Sequence, residues 1–144
     1  MPLLNVAVAG KPDAKRSLKI ATKLTELTNQ HLGKDPALTA VKVEHVDPDH
    51  WFVGGQALSK QTMSERNAAS FSLHISITEG TNTKPQIAMY IDAVFSQMSD
   101  SLGAVREESY IVVDEVPAPA WGYAGKTQEF RYIAGQLSAA TGDS

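Results

Sequence analysis

The chain has 144 residues, of which 42% are hydrophobic and 20% charged, and its formal net charge is -3. This balance is typical of a folded globular protein and excludes an intrinsically disordered chain. The sequence has no cysteine, no basic cluster and no apolar run near the ~20 residues of a membrane span. It therefore predicts a cytoplasmic protein without disulfides or thiol-bound metal, and without nucleic-acid or membrane partners.

The first half of the chain is predicted to form a strand, a helix and a second strand. Apolar residues from Leu3 to Val8 predict the first strand. From Asp13 to Leu32, apolar residues at three- and four-residue steps with lysines between them predict an amphipathic helix. Pro12 is expected just inside the start of this helix and Gly33 at its end. Residues 41–46 predict the second strand.

The second half repeats this order. Residues 71–78 alternate between apolar and polar, which predicts a half-buried strand. Thr83 and Gln86 have the spacing of a capping box, and residues 87–102 carry the apolar stripe of a helix. Residues 110–113 predict the fourth strand. Since a helical crossover joins parallel strands, we predict an α/β (α+β) fold, a tandem β-α-β repeat whose two helices cover one face of a four-stranded mixed sheet.

Five landmarks share an offset of 70 positions. They are Gly10 and Gly80, Leu32-Gly33 and Leu102-Gly103, Val46 and Val116, Trp51 and Trp121, and Gly55 and Gly125. The landmarks predict one domain over residues 1–144, with internal repeats at about 2–56 and 70–126. Residues 127–144 form a C-terminal extension, which we expect to be frayed from residue 135 onwards. The sheet face without helices is expected to be apolar, and therefore to drive oligomerisation.

Pro2 follows the initiator methionine directly and begins the first predicted strand. Removal of Met1 would expose a secondary amine, and desolvation and a nearby cation would both lower its pKa from the ~8 of a free α-amino group. A neutral secondary amine near pH 7 is a competent general base and nucleophile. The four histidines have no metal-ligand spacing, so no metal is predicted.

Several segments resemble the tautomerase superfamily. Met1-Pro2-Leu3-Leu4 is similar to its N-terminal motif, and residues 116–125 resemble the segment after its last strand. Gly33-Lys34, Phe52 to Gly55 and Tyr110-Ile111 resemble the macrophage migration inhibitory factor, or phenylpyruvate tautomerase, branch more closely. Some likeness extends to fused 4-oxalocrotonate tautomerase and to cis-3-chloroacrylate dehalogenase.

The resemblance implies a cofactor-free isomerase, a keto-enol tautomerase of a small 2-keto acid such as phenylpyruvate. Pro2 would move the proton, Lys34 would bind the substrate carboxylate, and the backbone N-H near Ser76 would help to hold it. Tyr110 would reach in from a neighbouring subunit of a homotrimer whose strands line a barrel. A base at the α-carbon and a cation where negative charge develops suit this chemistry.

Other residues are candidates for substrate binding. Trp51 and Trp121 could wall an aromatic substrate, or they could anchor the core of each repeat. Lys11 and Arg106 could add cations to a site between subunits. Val112 stands where this branch has a partner asparagine, which weakens the case for binding an aromatic hydroxyl. Two alternatives stay open: dehalogenation, hydration or decarboxylation of a small unsaturated or keto acid, and a protein-binding homologue with a vestigial pocket.

Overall fold

The computed structural model describes residues 2–61 and 69–141 of the chain. Within these residues there are eight strands and three α-helices. The strands are β1 (Leu3–Ala9), β2 (Ala40–Val46), β3 (Phe52–Val53), β4 (Gln56–Ala57), β5 (Phe71–Thr78), β6 (Tyr110–Val116), β7 (Gly122–Tyr123) and β8 (Lys126–Thr127). The helices are α1 (Ala14–Leu32), α2 (Lys84–Leu102) and α3 (Gln128–Thr141).

The main sheet has four strands in the order β2-β1-β5-β6. Strands β1 and β2 are parallel, as are β5 and β6, and the two central strands β1 and β5 are antiparallel. The predicted mixed sheet is therefore confirmed. Each half also carries a small two-stranded hairpin, β3-β4 in the first and β7-β8 in the second, which the sequence analysis did not predict.

The two long helices begin and end where local chemistry dictates. The Asp13 side chain caps α1 by accepting from two backbone N-H groups, so Pro12 lies before the cap and not inside the helix as predicted. Gly33 ends α1 in the left-handed conformation, at φ 70°. The predicted capping box of Thr83 and Gln86 is present at the start of α2.

The core lies between the sheet and one face of α1 and α2. Its buried residues are Leu4, Val6, Val8, Ile20, Leu24, Leu32, Phe71, Leu73, Ile75, Ile77, Tyr90, Val94 and Met98. The hydroxyls of Thr28 and Tyr90 are 2.9 Å apart and share a buried hydrogen bond between the two helices. A close-packed core of this size makes the sheet a rigid support for the residues at the ends of its strands.

The sheet face opposite the helices is polar, so the expectation of an apolar face was wrong. Because side chains alternate along a strand, the residues between the core positions point to this face. They include Asn5 on β1, Lys42 and Glu44 on β2, and Ser72 and His74 on β5, which line a shallow depression of about 330 Å³. Apolar burial therefore gives no argument for oligomerisation through this face.

The C-terminal extension is helical to Thr141, so the expectation of fraying from residue 135 was wrong over residues 135–141. Residues 142–144 lie outside the described part of the chain. The Thr127 hydroxyl accepts from the backbone N-H of Phe130 in the first turn of α3. The Arg131 guanidinium lies 3.8 Å from the ring centre of Tyr123 and donates to its carbonyl, which fixes the helix to the second hairpin. Among the described residues, no helix is both long and apolar enough to cross a membrane.

Candidate functional site

The strand register divides the predicted site residues between the two ends of the sheet. At one end, here called the Pro2 end, β1 begins beside the start of β2 and the last residues of β5, with Leu3 opposite both Ala40 and Ser76. At the other, the Tyr110 end, β1 finishes beside the start of β5, with Val8 opposite Phe71. Residues at opposite ends cannot contact one substrate within a single chain.

Pro2 is buried, and its carbonyl accepts from the backbone N-H of Ala40 at 3.2 Å. This hydrogen bond extends the β1-β2 ladder by one residue and fixes the main chain at the N-terminus. Met1 lies outside the described residues. Ser76 stands opposite Leu3 on the adjacent strand, so its backbone is also at the Pro2 end.

Lys34 is brought to the same end by the way in which α1 stops. The backbone N-H of Gly33 donates to Asn29 at 2.9 Å, and the side-chain amide of Asn29 donates to the Lys34 carbonyl at 3.0 Å. These contacts hold the main chain of Lys34 against the last turn of the helix. Its Nζ donates to the Thr81 hydroxyl at 2.9 Å, in the turn that follows β5.

The Lys34 ammonium is half-buried and has no carboxylate partner in the described part of the chain, where the ion pairs are Lys23–Glu26 and Arg106–Glu108. Burial lowers the pKa of Lys34 from its ordinary value of 10.5. A partly desolvated cation with a neutral hydrogen-bond partner can still gain from pairing with an anion. Its chemistry therefore suits the binding of a carboxylate.

Trp121 also lies at the Pro2 end, after the close of β6. Its indole N-H donates to the Thr78 hydroxyl at 3.2 Å, and its side chain is part-buried. The indole is therefore tied to the last residue of β5, on the strand that carries Ser76. The structure brings Pro2, Lys34, Ser76 and Trp121 to one end of one chain.

The other four predicted residues lie at the Tyr110 end. Lys11 follows Gly10 at the finish of β1, and Trp51 follows the finish of β2. The backbone N-H of Arg106 donates to Ala69, just before β5. Tyr110 begins β6 opposite Ser72, which itself lies opposite Ala7. At ~3.3 Å per residue, the five-residue separation of Ala7 from Pro2 corresponds to about 16 Å along β1.

Arg106 is held by side chains of its own chain. Its Nη1 donates to Gln61 at 2.6 Å, its Nε lies 3.3 Å from a carboxylate oxygen of Glu108, and its side chain is only 14% exposed. Tyr110 is the opposite case, because its side chain is 68% exposed. Of these two, Tyr110 is the one free to meet another molecule.

Thr81 is the residue at the Pro2 end that the sequence analysis did not assign to the site. It is 47 positions from Lys34, and no motif places it near a cation. The only available signal is indirect, since Thr81 lies in the turn between the predicted strand and the capping box at Thr83.

Comparison with known proteins confirms the resemblance to the tautomerase superfamily. Residues 2–61 match the family model described as Tautomerase enzyme. A probable tautomerase K2 from Dickeya dadantii (strain 3937) is 29% identical over 62 residues, which cover 42% of this chain and 92% of that protein. These two matches support a tautomerase-type, isomerase activity.

Solved structures confirm the fold over nearly the whole chain. A wild-type fused 4-OT described as a symmetric trimer has a TM-score of 0.75 and 19% identity, covering 90% of this chain and 98% of its own. A macrophage migration inhibitory factor-like protein from Entamoeba histolytica has a TM-score of 0.69 and 17% identity, covering 88% and 97%. A macrophage migration inhibitory factor homologue from Prochlorococcus marinus has a TM-score of 0.69 and 18% identity, covering 87% and 97%.

Proposed function

We propose that this tautomerase-like chain, once Met1 is removed, is a keto-enol tautomerase of a small 2-keto acid such as phenylpyruvate, with the Pro2 nitrogen as its general base. One observation supports this most strongly: Pro2 stands at the same end of the sheet as the half-buried Lys34, which has no carboxylate partner among the residues that the structure describes. A base and a cation are the two groups that enolisation of a keto acid requires.

The proposed reaction moves one proton and leaves the atoms of the substrate otherwise unchanged. The neutral Pro2 nitrogen takes a proton from the carbon next to the keto group, and the electron pair of that C-H bond becomes the new C=C bond. Negative charge develops on the keto oxygen, which then takes a proton, and the protonated Pro2 nitrogen releases its proton to that oxygen or to water, so that the base is regenerated. The reverse sequence converts the enol to the keto form.

Lys34 is proposed to bind the carboxylate and to stabilise the developing charge. Its ammonium donates to one neutral oxygen, that of Thr81, so it retains donor capacity for an incoming anion. The backbone N-H groups near Ser76 and the indole of Trp121 are proposed as further contacts, with Trp121 as the wall for an aromatic substrate.

We propose that the site is completed by a second copy of the chain within a homotrimer. Tyr110 is exposed and lies too far from Pro2 to reach it within one chain, so it can join the site only from a neighbour. The similar fused 4-OT is described as a symmetric trimer, which supports the same assembly here. Trp51, Lys11 and Arg106 would also approach a Pro2 site only from a neighbouring chain.

The proposal is tested with two preparations of the chain, one with Met1 removed and one that retains it, each verified by mass. The enol absorbance of phenylpyruvate reports the reaction. We expect turnover only from the preparation with a free Pro2 nitrogen, because acylation by Met1 converts the amine into a non-basic amide. Pro2→Ala keeps a primary amine and is expected to retain part of the rate.

Pro12→Ala is the matched control for the loss of a proline ring, since Pro12 is exposed and its nitrogen is an internal amide that cannot act as a base. It should leave the rate unchanged. Full activity in the preparation that retains Met1 would refute the proposed base. No turnover in either preparation would refute the proposed reaction.

A further inference from the structure

The Lys34 head group is held by a side chain from the second repeat. The Nζ of Lys34 donates to the Thr81 hydroxyl at 2.9 Å, and the same hydroxyl donates to the carbonyl of Thr78 at 2.7 Å. A hydroxyl that donates its one proton to a carbonyl directs its lone pairs to the opposite side. Two hydrogen bonds in series also strengthen one another.

The residue after Thr81 fixes the same turn to the end of α1. The Asn82 side-chain amide donates to the carbonyl of Leu32 at 3.0 Å and to the Gln86 side chain at 3.2 Å. Since Leu32 is two positions before Lys34, the turn contacts both the main chain near the lysine and its head group. The position of the ammonium is therefore set from both ends of its side chain.

The repeat provides an internal comparison. At the offset of 70 positions, Ala104 corresponds to Lys34 and Lys11 corresponds to Thr81. The other end of the sheet therefore has an alanine where the cation would stand and a lysine where the hydroxyl would stand. The hydroxyl and the half-buried lysine occur as a pair at the Pro2 end and are both replaced at their equivalent positions.

We propose that Thr81 is a positioning residue, through which the second repeat orients the Lys34 ammonium to receive the carboxylate of the substrate. This inference rests on the proposed role of Lys34 in the tautomerase site. Thr81 acts through Lys34 and does not itself contact the reacting atoms. The substrate class that depends on it is a small keto acid with a carboxylate next to the reacting carbonyl.

The test compares Thr81→Val, which keeps the shape and removes the hydroxyl, with Thr81→Ser, which keeps the hydroxyl. Thr25→Val is the matched control, because the Thr25 hydroxyl donates to a backbone carbonyl at 2.8 Å on α1, away from Lys34. The readouts are the KM and kcat for phenylpyruvate, the melting temperature, and the pKa of Lys34 from NMR of ¹³C-methylated lysines. Lys34→Arg assigns the Lys34 signal.

We expect Thr81→Val to raise KM roughly five- to tenfold, the value of one ordinary hydrogen bond, while kcat changes less than twofold. The Lys34 pKa should fall in the same variant, because the lost oxygen accepts a hydrogen bond from the charged form. Thr81→Ser should restore both values, and Thr25→Val should move neither.

An unchanged KM and an unchanged Lys34 pKa in Thr81→Val would overturn the inference. So would a pKa shift without a change in KM, or equal effects from Thr25→Val. If the wild-type chain does not turn over phenylpyruvate, the proposed function fails. The Lys34 titration then still shows whether the Thr81 hydroxyl raises the pKa of Lys34, which is the part of the inference that does not depend on turnover.

Discussion

Replacing Lys34 by methionine should weaken catalysis without weakening the fold. Methionine keeps the length of the side chain and removes the charge. The ammonium is half-buried and unpaired with any carboxylate in residues 2–61 and 69–141, so its removal takes away a desolvation cost together with one hydrogen bond to an exposed threonine. We therefore expect the free energy of unfolding to stay within about 1 kcal/mol of wild type or to rise.

Catalysis should respond in the opposite direction. A charge-assisted hydrogen bond to a carboxylate contributes about 1.5–3 kcal/mol, which corresponds to a loss of roughly 10- to 150-fold in kcat/KM. The assay is phenylpyruvate turnover alongside chemical denaturation. Lys23→Met is the matched control, because Lys23 is a partly exposed lysine of α1 whose ammonium lies 3.6 Å from a carboxylate oxygen of Glu26. An unchanged kcat/KM in Lys34→Met, or a loss explained by unfolding, would refute this reasoning.

The lowered pKa of Lys34 adds a pH dependence to the same prediction. Below its folded-state pKa the residue is charged and can bind a carboxylate, so KM should rise as the pH passes through that pKa, which lies below 10.5. The free energy of unfolding should increase over the same pH range in which binding weakens. Because the unfolded chain keeps the proton to a higher pH, deprotonation of the folded state relieves a cost and stability increases over that interval. Lys34→Met should abolish both changes.

Two further predictions concern the scaffold. Burial raises the pKa of Tyr90 to about 12, above its ordinary 10.0. Because this tyrosine ionises at a lower pH in the unfolded chain, the free energy of unfolding should fall between pH 10 and 12, by at most roughly 3 kcal/mol. Tyr90→Phe removes the hydrogen bond to Thr28 and should lower the free energy of unfolding by about 1 kcal/mol at neutral pH. It should also lack the loss of stability between pH 10 and 12. Denaturation at a series of pH values checks this, and the same dependence of stability on pH in both proteins would contradict it. Gly33→Ala should destabilise the fold by about 1 kcal/mol, because the backbone of Gly33 has a φ of +70°. Gly135→Ala, inside α3, is the control and should leave the stability unchanged or raise it. Equal melting temperatures of the two variants would contradict this prediction.

The sequence predicted the main elements of the fold because their signals are local. Alternation over residues 71–78, the capping box at Thr83 and the glycine stop at Gly33 each specify structure within a few neighbouring positions. The C-terminal segment was predicted wrongly because contacts with a distant part of the chain determine its structure. Gly135 and the small polar residues around it suggested a frayed end, but Arg131 packs on the second hairpin and α3 continues to Thr141.

The character of the uncovered face was a different kind of error. The number of layers alone suggests an apolar face, because two helices can cover only one side of the sheet. The polar members of the alternating strand, Ser72, His74 and Ser76, already indicated that the side opposite the core is polar. Small and polar side chains suit a hydrated surface or a lined channel better than a dry interface.

The site itself could be predicted only in part, because its members come from distant positions. A motif resemblance singled out Pro2 and Lys34, but it contains no information on which residue of the second repeat meets the lysine. That contact follows from the antiparallel pairing of β1 and β5, which places the turn after Thr78 beside the end of α1. Neither spacing nor composition specifies this pairing.

The antiparallel pairing also means that the Pro2 end of the sheet is built from both repeats. Since the first strands of the two repeats run in opposite directions, the start of one lies beside the finish of the other, and each end of the sheet contains residues from both halves. A change in one repeat therefore alters both ends. At the Pro2 end, the first repeat supplies Pro2 and Lys34, and the second supplies Thr81 and Trp121. A variant in the second repeat, such as Thr81→Val, is therefore expected to act on a lysine of the first repeat.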